Sequence, residues 1–177
     1  MESFKNRIIR AAKLDVSLYE EVEADRSAMG QAMGVVILSA VAAGIGSIST
    51  TGVAGIFLGT LAALVGWFIW AYIAYYVGTK LLPEPQTKAD LGELLRTIGF
   101  ASSPGLLRIL GIIPFLSGII FIATGIWMLV AMVIAVRQAL DYNSTPRAVG
   151  VCLIGWVIQM VIIWIVFSIF GGFEKPV

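Results

Sequence analysis

The sequence contains no histidine and a single cysteine, Cys152, in 177 residues. Without histidine the chain lacks the commonest general base, the commonest metal ligand and the side chain that titrates near neutral pH. One cysteine excludes an intrachain disulfide and a thiolate metal cage. Cys152 lies in an apolar stretch and reads as a small lipid- or core-facing residue. Charge is scarce too, with Asp, Glu, Lys and Arg making up 13% of the chain, against about 25% in a soluble domain. The net charge is +1 and no basic run is dense enough for nucleic acid.

The missing charges leave long gaps. No Asp, Glu, Lys or Arg occurs between Arg26 and Lys80, between Arg108 and Arg137, or between Arg147 and Glu174. Each gap exceeds the roughly 20 residues that a helix needs to cross the hydrocarbon core. Apolar residues fill them, and hydrophobic side chains form 59% of the chain. A domain of this size leaves much of its surface facing solvent, so this much apolar surface requires lipid as the solvent.

The pattern predicts an all-α integral membrane protein of five transmembrane helices. Residues 1–27 form a cytosolic or interfacial amphipathic lead-in. Residues 28–177 form the membrane domain, with spans at about 28–48, 53–77, 94–113, 115–136 and 148–170. In the lead-in, Phe4, Ile8, Ile9 and Ala12 recur at helical spacing with Lys5, Arg7, Arg10 and Lys13 around them. Such a helix lies in the membrane interface, basic side toward anionic headgroups. Five basic and six acidic residues precede Met29, unlike a signal peptide. Ser17-Leu-Tyr-Glu20 has capping-box spacing and restarts the helix after Leu14-Asp15. The acidic run Glu20, Glu21, Glu23 and Asp25 reads as a solvated face or, more sharply, as a docking surface for a cytosolic partner.

Ser49-Thr50-Thr51-Gly52 makes an uncharged turn after the first span. Trp67, Trp70, Tyr72, Tyr75 and Tyr76 crowd the second half of the next, and the last of these suit an interfacial belt. Pro83 and Pro85 mark its end. Asp90-Leu-Gly-Glu93 has capping-box spacing and opens the third segment. That segment carries Arg96, Gly99, Ser102, Ser103, Pro104, Gly105 and Arg108. Pro104 removes a backbone donor, which predicts a kink or break near Ala101–Gly105. Pro114 ends the segment, Arg137 closes the fourth span, and Thr145-Pro146 reads as N-cap and first helical residue of the fifth. Gly171-Gly172 stops the last span.

With five spans, ten Lys and Arg residues fall on the side of the N-terminus. Only Arg108 and Lys175 fall on the other. This places the N-terminus in the cytoplasm and the C-terminus outside. A rival topology has a re-entrant 94–113 segment, four full spans and both ends cytoplasmic. Its tally is nearly the same, so charge does not separate the two.

Arg108 is the first candidate for chemistry, because an ionisable residue inside an apolar segment is a functional hypothesis by default. Near Pro114 it can snorkel to outer headgroups; contact with carbonyls freed at the break, or with a ligand, are the alternatives. Ser102, Ser103 and Pro104 mark the one place where a small site can form, with a packing kink as the plain reading. No acidic residue lies inside any span, which argues against a proton relay. Gly30 and Gly34, and Gly55, Gly59 and Ala63, are spaced by four, a pattern for close helix packing within the bundle or between copies. Gln31 and Gln159 are candidates for interhelical hydrogen bonds. No catalytic constellation, cofactor motif or metal cluster is found.

Three stretches together carry a family resemblance. They are Arg10-Ala-Ala-Lys-Leu-Asp-Val-Ser-Leu-Tyr-Glu-Glu-Val-Glu-Ala-Asp25, Gly99-Phe-Ala-Ser-Ser-Pro104 followed by Pro114, and Trp127 with Ala135-Val-Arg-Gln-Ala-Leu140. The chain resembles the Yip family of Rab-GTPase-interacting membrane proteins in its small prokaryotic form. The resemblance implies a five-span bundle with a cytosolic N-terminus and brings no catalytic residues. Its eukaryotic members are associated with Rab GTPases and vesicle traffic. The N-terminus here is shorter than theirs, which puts GTPase binding in doubt. The resulting expectation is a non-enzymatic scaffold or accessory subunit of a prokaryotic plasma membrane. It would bind the lipid bilayer and other membrane proteins or itself. The alternative is a small-solute transporter or channel using the broken third segment.

Overall fold

The structure, a computed structural model, describes residues 3–170, and every element among them is helical. The predicted Gly171-Gly172 stop and the charged tail lie outside the described residues. Two short helices, α1 (Phe4–Ala12) and α2 (Val16–Ala24), precede α3 (Met29–Gly46) and α4 (Ile48–Tyr76). Then come α5 (Leu91–Ala101), a 3-10 segment (Ser103–Ile112), α6 (Ser117–Ala139) and α7 (Thr145–Phe170). Four stretches are long and apolar enough to cross a membrane: Arg26–Gly46, Ile48–Leu81, Ser117–Ala139 and Thr145–Ile162.

The lead-in is not a single interfacial helix. Leu14 adopts left-handed backbone (φ 61°) and ends α1. Asp15, rather than Ser17, caps α2: its carboxylate accepts the Ser17 amide at 3.0 Å and the Ser17 hydroxyl at 2.7 Å. The Arg10 guanidinium, at 2.7 Å, and then Ser17 hold the Asp15 carboxyl down at about 2. The basic side of α1 is divided, with Lys5 and Lys13 exposed and Arg7 turned inward. Arg7 is buried and bonds Glu21 at 2.7 Å, Asp25 at 2.9 Å and Gln31 at 3.0 Å. Arg10 pairs with Glu21 at 2.8 Å. The acidic run thus supplies counter-charges within the chain, and this lets α1 lie on the bundle. Ala11 is fully buried in a cluster with Tyr19, Phe100, Ala101 and Ala135, and Phe4 and Ile8 pack against it.

The break in the third segment falls at Ser102. There α5 ends, and 3-10 geometry with Pro104 in its first turn takes over. The segment keeps one direction along α3. A methyl group added at Gly99 would stand 2.8 Å from the Ala32 Cβ. One at Gly105 would overlap the Ser39 hydroxyl, and one at Gly46 would overlap the Arg108 carbonyl. Residues 32, 39 and 46 therefore match 99, 105 and 108 in the same order, over about 21 Å of α3. Helix α6 runs the other way, with Phe121 beside Gly111 and Met128 beside Gly105.

At the end where α5 begins, the loops interlock. Tyr142 donates its hydroxyl to the carbonyls of Gly78 and Leu82, at 2.9 and 2.7 Å. Glu84 accepts the Asn143 amide at 2.9 Å, and the Gln86 side chain donates to the Asp141 carbonyl at 3.0 Å. Gln138 donates to Glu20 at 2.8 Å. The predicted capping box at Asp90 forms with both bonds at 2.8 Å. Helix α7 starts one residue earlier than predicted, at the residue read as its cap. Thr145 is helical, and the Ser144 hydroxyl accepts the Arg147 amide at 3.4 Å.

Candidate functional site

Helix α4 stands apart from this packing. No residue in its most apolar stretch is buried, although the helix with its π turn to Leu81 is the longest of the four. Val53, Phe57, Leu58, Leu61 and Val65 are all more than half exposed. The cause lies at its start. Gly52 has φ 65° and ψ −177°, a backbone that glycine tolerates and other residues resist, and it turns the chain there. Contact with α3 is close at Gly44, where an added methyl would meet Ile56 at 3.0 Å. Farther along, α4 is held by two indoles. Trp67 donates to the Leu95 carbonyl at 3.0 Å and Trp70 to the Met132 sulfur at 3.1 Å. These two face inward rather than joining an interfacial belt. Tyr72 and Tyr76 remain exposed.

Between these two attachments lies a cleft of about 540 Å³. Its wall on α4 is Gly55, Gly59, Ala63 and Gly66, and its floor includes Ser39, Ser102 and Met128. Arg108 and Gln159 reach it from the 3-10 segment and α7. The Arg108 Nε donates to Thr124 Oγ1 at 3.2 Å, and its guanidinium lies 5.5 Å from the Phe121 ring centre. Arg108 thus contacts α6 through Thr124 and Phe121. None of the residues that line the cleft is acidic, and among the described residues no carboxylate pairs with Arg108. A second cavity, of about 310 Å³, shares Ser47 and Phe121 with the cleft and extends to Ser49, Thr50 and Ser117.

The other sequence candidates separate from one another. Ser102 lines the cleft, whereas Ser103 and Pro104 are buried beside it, with the Ser103 hydroxyl on the Phe100 carbonyl at 2.7 Å. Of the four glycines chosen for packing, Gly34 alone would bring an added methyl against another helix. A methyl group at Gly30 or Gly59 would meet nothing within 4 Å. At Gly55 it would crowd only Thr51 of the same helix, and at Gly34 it would touch the Phe4 ring at 3.4 Å. Spacing by four identifies a helix face, but it does not say whether that face meets a helix or a cleft. Close approach instead uses Gly99, Gly105 and Gly46, which have no such spacing.

Sequence reasoning also missed Arg96. It is buried, its Nε donates to the Val22 carbonyl at 2.9 Å, and a terminal nitrogen donates to the Glu23 carbonyl. It thereby closes the C-terminal end of α2. An Arg six residues after a helix cap was the available signal. Nearby, Glu20, Glu23, Glu93 and Asp141 line a polar cavity of about 810 Å³. Burial, then the charges of Asp141 and Glu93, raises the Glu23 carboxyl to about 7. Among the described residues no three acidic or cysteine side chains are placed to hold a metal ion.

Long apolar helices, an exposed apolar α4 and a polar end where loops interlock define a polytopic helical membrane protein. The family model for the Yip1 domain matches residues 19–167. The chain belongs to that family. No curated protein and no solved structure matches it.

Proposed function

We propose that this Yip1-domain protein is a non-enzymatic scaffold or accessory subunit of a prokaryotic plasma membrane, recruiting other membrane proteins along α4. The observation that carries this reading is the unburied length of α4. Its outward face is apolar and unpaired, and it is the least buried of the four long helices; α6 and α7 are also partly exposed, through Ile122 and Leu129 and through Leu153 and Trp156. Lipid packs such a face as well as protein does, so association there rests on shape and close contact.

The same reading takes the chain as five spans with a cytosolic N-terminus. Two features support it. The α5 and 3-10 segment follows α3 in one direction, and together they are long enough for the core, at about 36 Å. The 78–93 and 137–147 loops bond to each other, which a re-entrant third segment would prevent. Residues 3–27 are then a cytosolic cover folded onto the membrane domain.

Purification from native membranes in mild detergent, followed by mass spectrometry, tests the scaffold role. Stoichiometric recovery of another membrane protein, lost in a Phe57→Ala/Leu61→Ala variant, is expected. Recovery of the chain alone would remove the reading and favour solute uptake through the cleft, to be measured in proteoliposomes.

A further inference from the structure

The cleft beside α4 has a chemistry that the scaffold role does not use. At one end it holds a cation, Arg108, whose neighbours are the hydroxyl of Thr124 and the ring of Phe121. Below Arg108 the walls are mainly apolar, from Gly59 and Ala63 to Trp70 and Met132, with Ser39, Ser102 and Gln159 as the polar side chains among them. Beyond it, toward the loop ends, the smaller cavity is lined by the hydroxyl residues Ser49, Thr50 and Ser117. A guanidinium at membrane depth without a carboxylate is costly, and it is normally matched by an anion or by water. The site therefore has three zones in order: polar vestibule, cation, apolar trough.

We propose that the cleft binds one anionic phospholipid, with its phosphate on Arg108, its headgroup in the Ser49–Ser117 vestibule and an acyl chain along α4. Charge complementarity selects this occupant. The planar guanidinium presents paired donors that match phosphate oxygens. A transmembrane helix from a partner would bring no anion to Arg108, and a free phosphate would leave the trough unfilled. Gly59 and Gly66 line the cleft and have open space where a side chain would stand. The proposal goes beyond the scaffold reading and does not depend on it.

The test is native mass spectrometry of the delipidated full-length protein, titrated with phosphatidylglycerol or phosphatidylcholine of identical chains. The wild type and Lys88→Gln, a change at an exposed loop cation, are expected to retain one phosphatidylglycerol. Preference over phosphatidylcholine should be about fivefold or more, the scale of one Lys or Arg beside anionic lipid. Arg108→Gln should lose that preference, and Arg108→Lys should keep part of it. Gly59→Leu fills the trough without touching the cation and should abolish retention of either lipid, which keeps the test decisive if Arg108→Gln fails to fold. Equal retention of the two lipids by the wild type would overturn the proposal. So would undiminished phosphatidylglycerol retention in both Arg108→Gln and Gly59→Leu. Competition by millimolar inorganic phosphate as effective as that of lipid would reassign Arg108 to a soluble anion and likewise overturn it. Partner capture is not among these readouts, so failure here leaves the scaffold reading standing.

Discussion

The broken third segment and α4 are both apolar and glycine-containing, yet the fold uses them in opposite ways. Around Ser102 the broken segment is wrapped by α3, α6 and the lead-in helices, and Phe100, Ala101, Ser103, Pro104 and Gly105 are all buried, whereas Leu107, Ile109, Leu110 and Ile112 farther along are exposed. Helix α4 is regular beyond Gly52, but none of its most apolar stretch is buried. Irregular backbone leaves polar groups that lipid cannot satisfy, so it must be enclosed by protein. A regular helix satisfies its own and can stand against lipid. The comparison teaches that at the Ser102 change of backbone the chain is enclosed by protein, whereas an apolar stretch of regular helix in α4 stays exposed.

The largest test of that contrast is a matched pair of leucines. Gly105→Leu should cost about 3 kcal/mol or more, because the side chain meets Ser39 and Met128 across two helices. Gly59→Leu should leave stability within about 0.5 kcal/mol of wild type. Thermal unfolding in detergent, followed by far-UV circular dichroism, reads both. If the two variants lost stability equally, the distinction between enclosed segment and open cleft would fail.

The cover over the break comes next. Arg7→Ala leaves Glu21, Asp25 and Gln31 without their shared donor and should destabilise by about 2 kcal/mol. The figure stands below that for a fully buried pair because the two carboxylates are about a quarter to a third exposed. Limited proteolysis should cut near Leu14 in this variant before any change in the membrane helices. An unchanged cleavage pattern would show that α1 is not held by these pairs.

On the α4 side, Gly52→Ala forces a β-carbon into a backbone region reserved for glycine and should cost about 1 to 2 kcal/mol. Since Gly52 directs α4 away from the bundle, the change should also alter maleimide labelling of a cysteine placed at Gly66 in a Cys152→Ser background. Identical stability and labelling would mean that the turn does not set the cleft.

The smallest effect concerns pH. Folding raises the Glu23 carboxyl from 4.5 to about 7. The folded state then holds a proton that the unfolded state releases, so this group's contribution is complete below pH 4.5 and is lost as pH rises through about 7. Asp15 has the opposite sign: its contribution is present above pH 3.8 and is lost as pH falls toward 2. Glu23→Gln should flatten the melting temperature between pH 5 and pH 7. A Glu23→Gln profile parallel to wild type would exclude Glu23 as the cause.

Much of this was legible in the sequence, and for definite reasons. The charge-free gaps determined that the chain lives in a membrane, because no other solvent accepts such runs. Asp90 and Glu93 determined a helix start, because both halves of a capping box are local. The Ser49–Gly52 turn and the change of backbone at Ser102 follow from glycine and proline, which act on their own dihedral angles. What only the tertiary structure decided involves partners far apart in the chain. Arg7 looked like a headgroup ligand until α2 folded back to bring Glu21 and Asp25 to it. Arg96 joins α5 to the end of α2 across more than seventy residues. Gly55 and Gly59 shared a face in the sequence, but only the position of α4 made that face a cleft wall. Arg108 gained its direction from Thr124 and Phe121 on a helix that the chain had yet to make. Local chemistry fixes the elements and their solvent; which face meets a neighbour depends on the neighbour's place, which no single segment encodes.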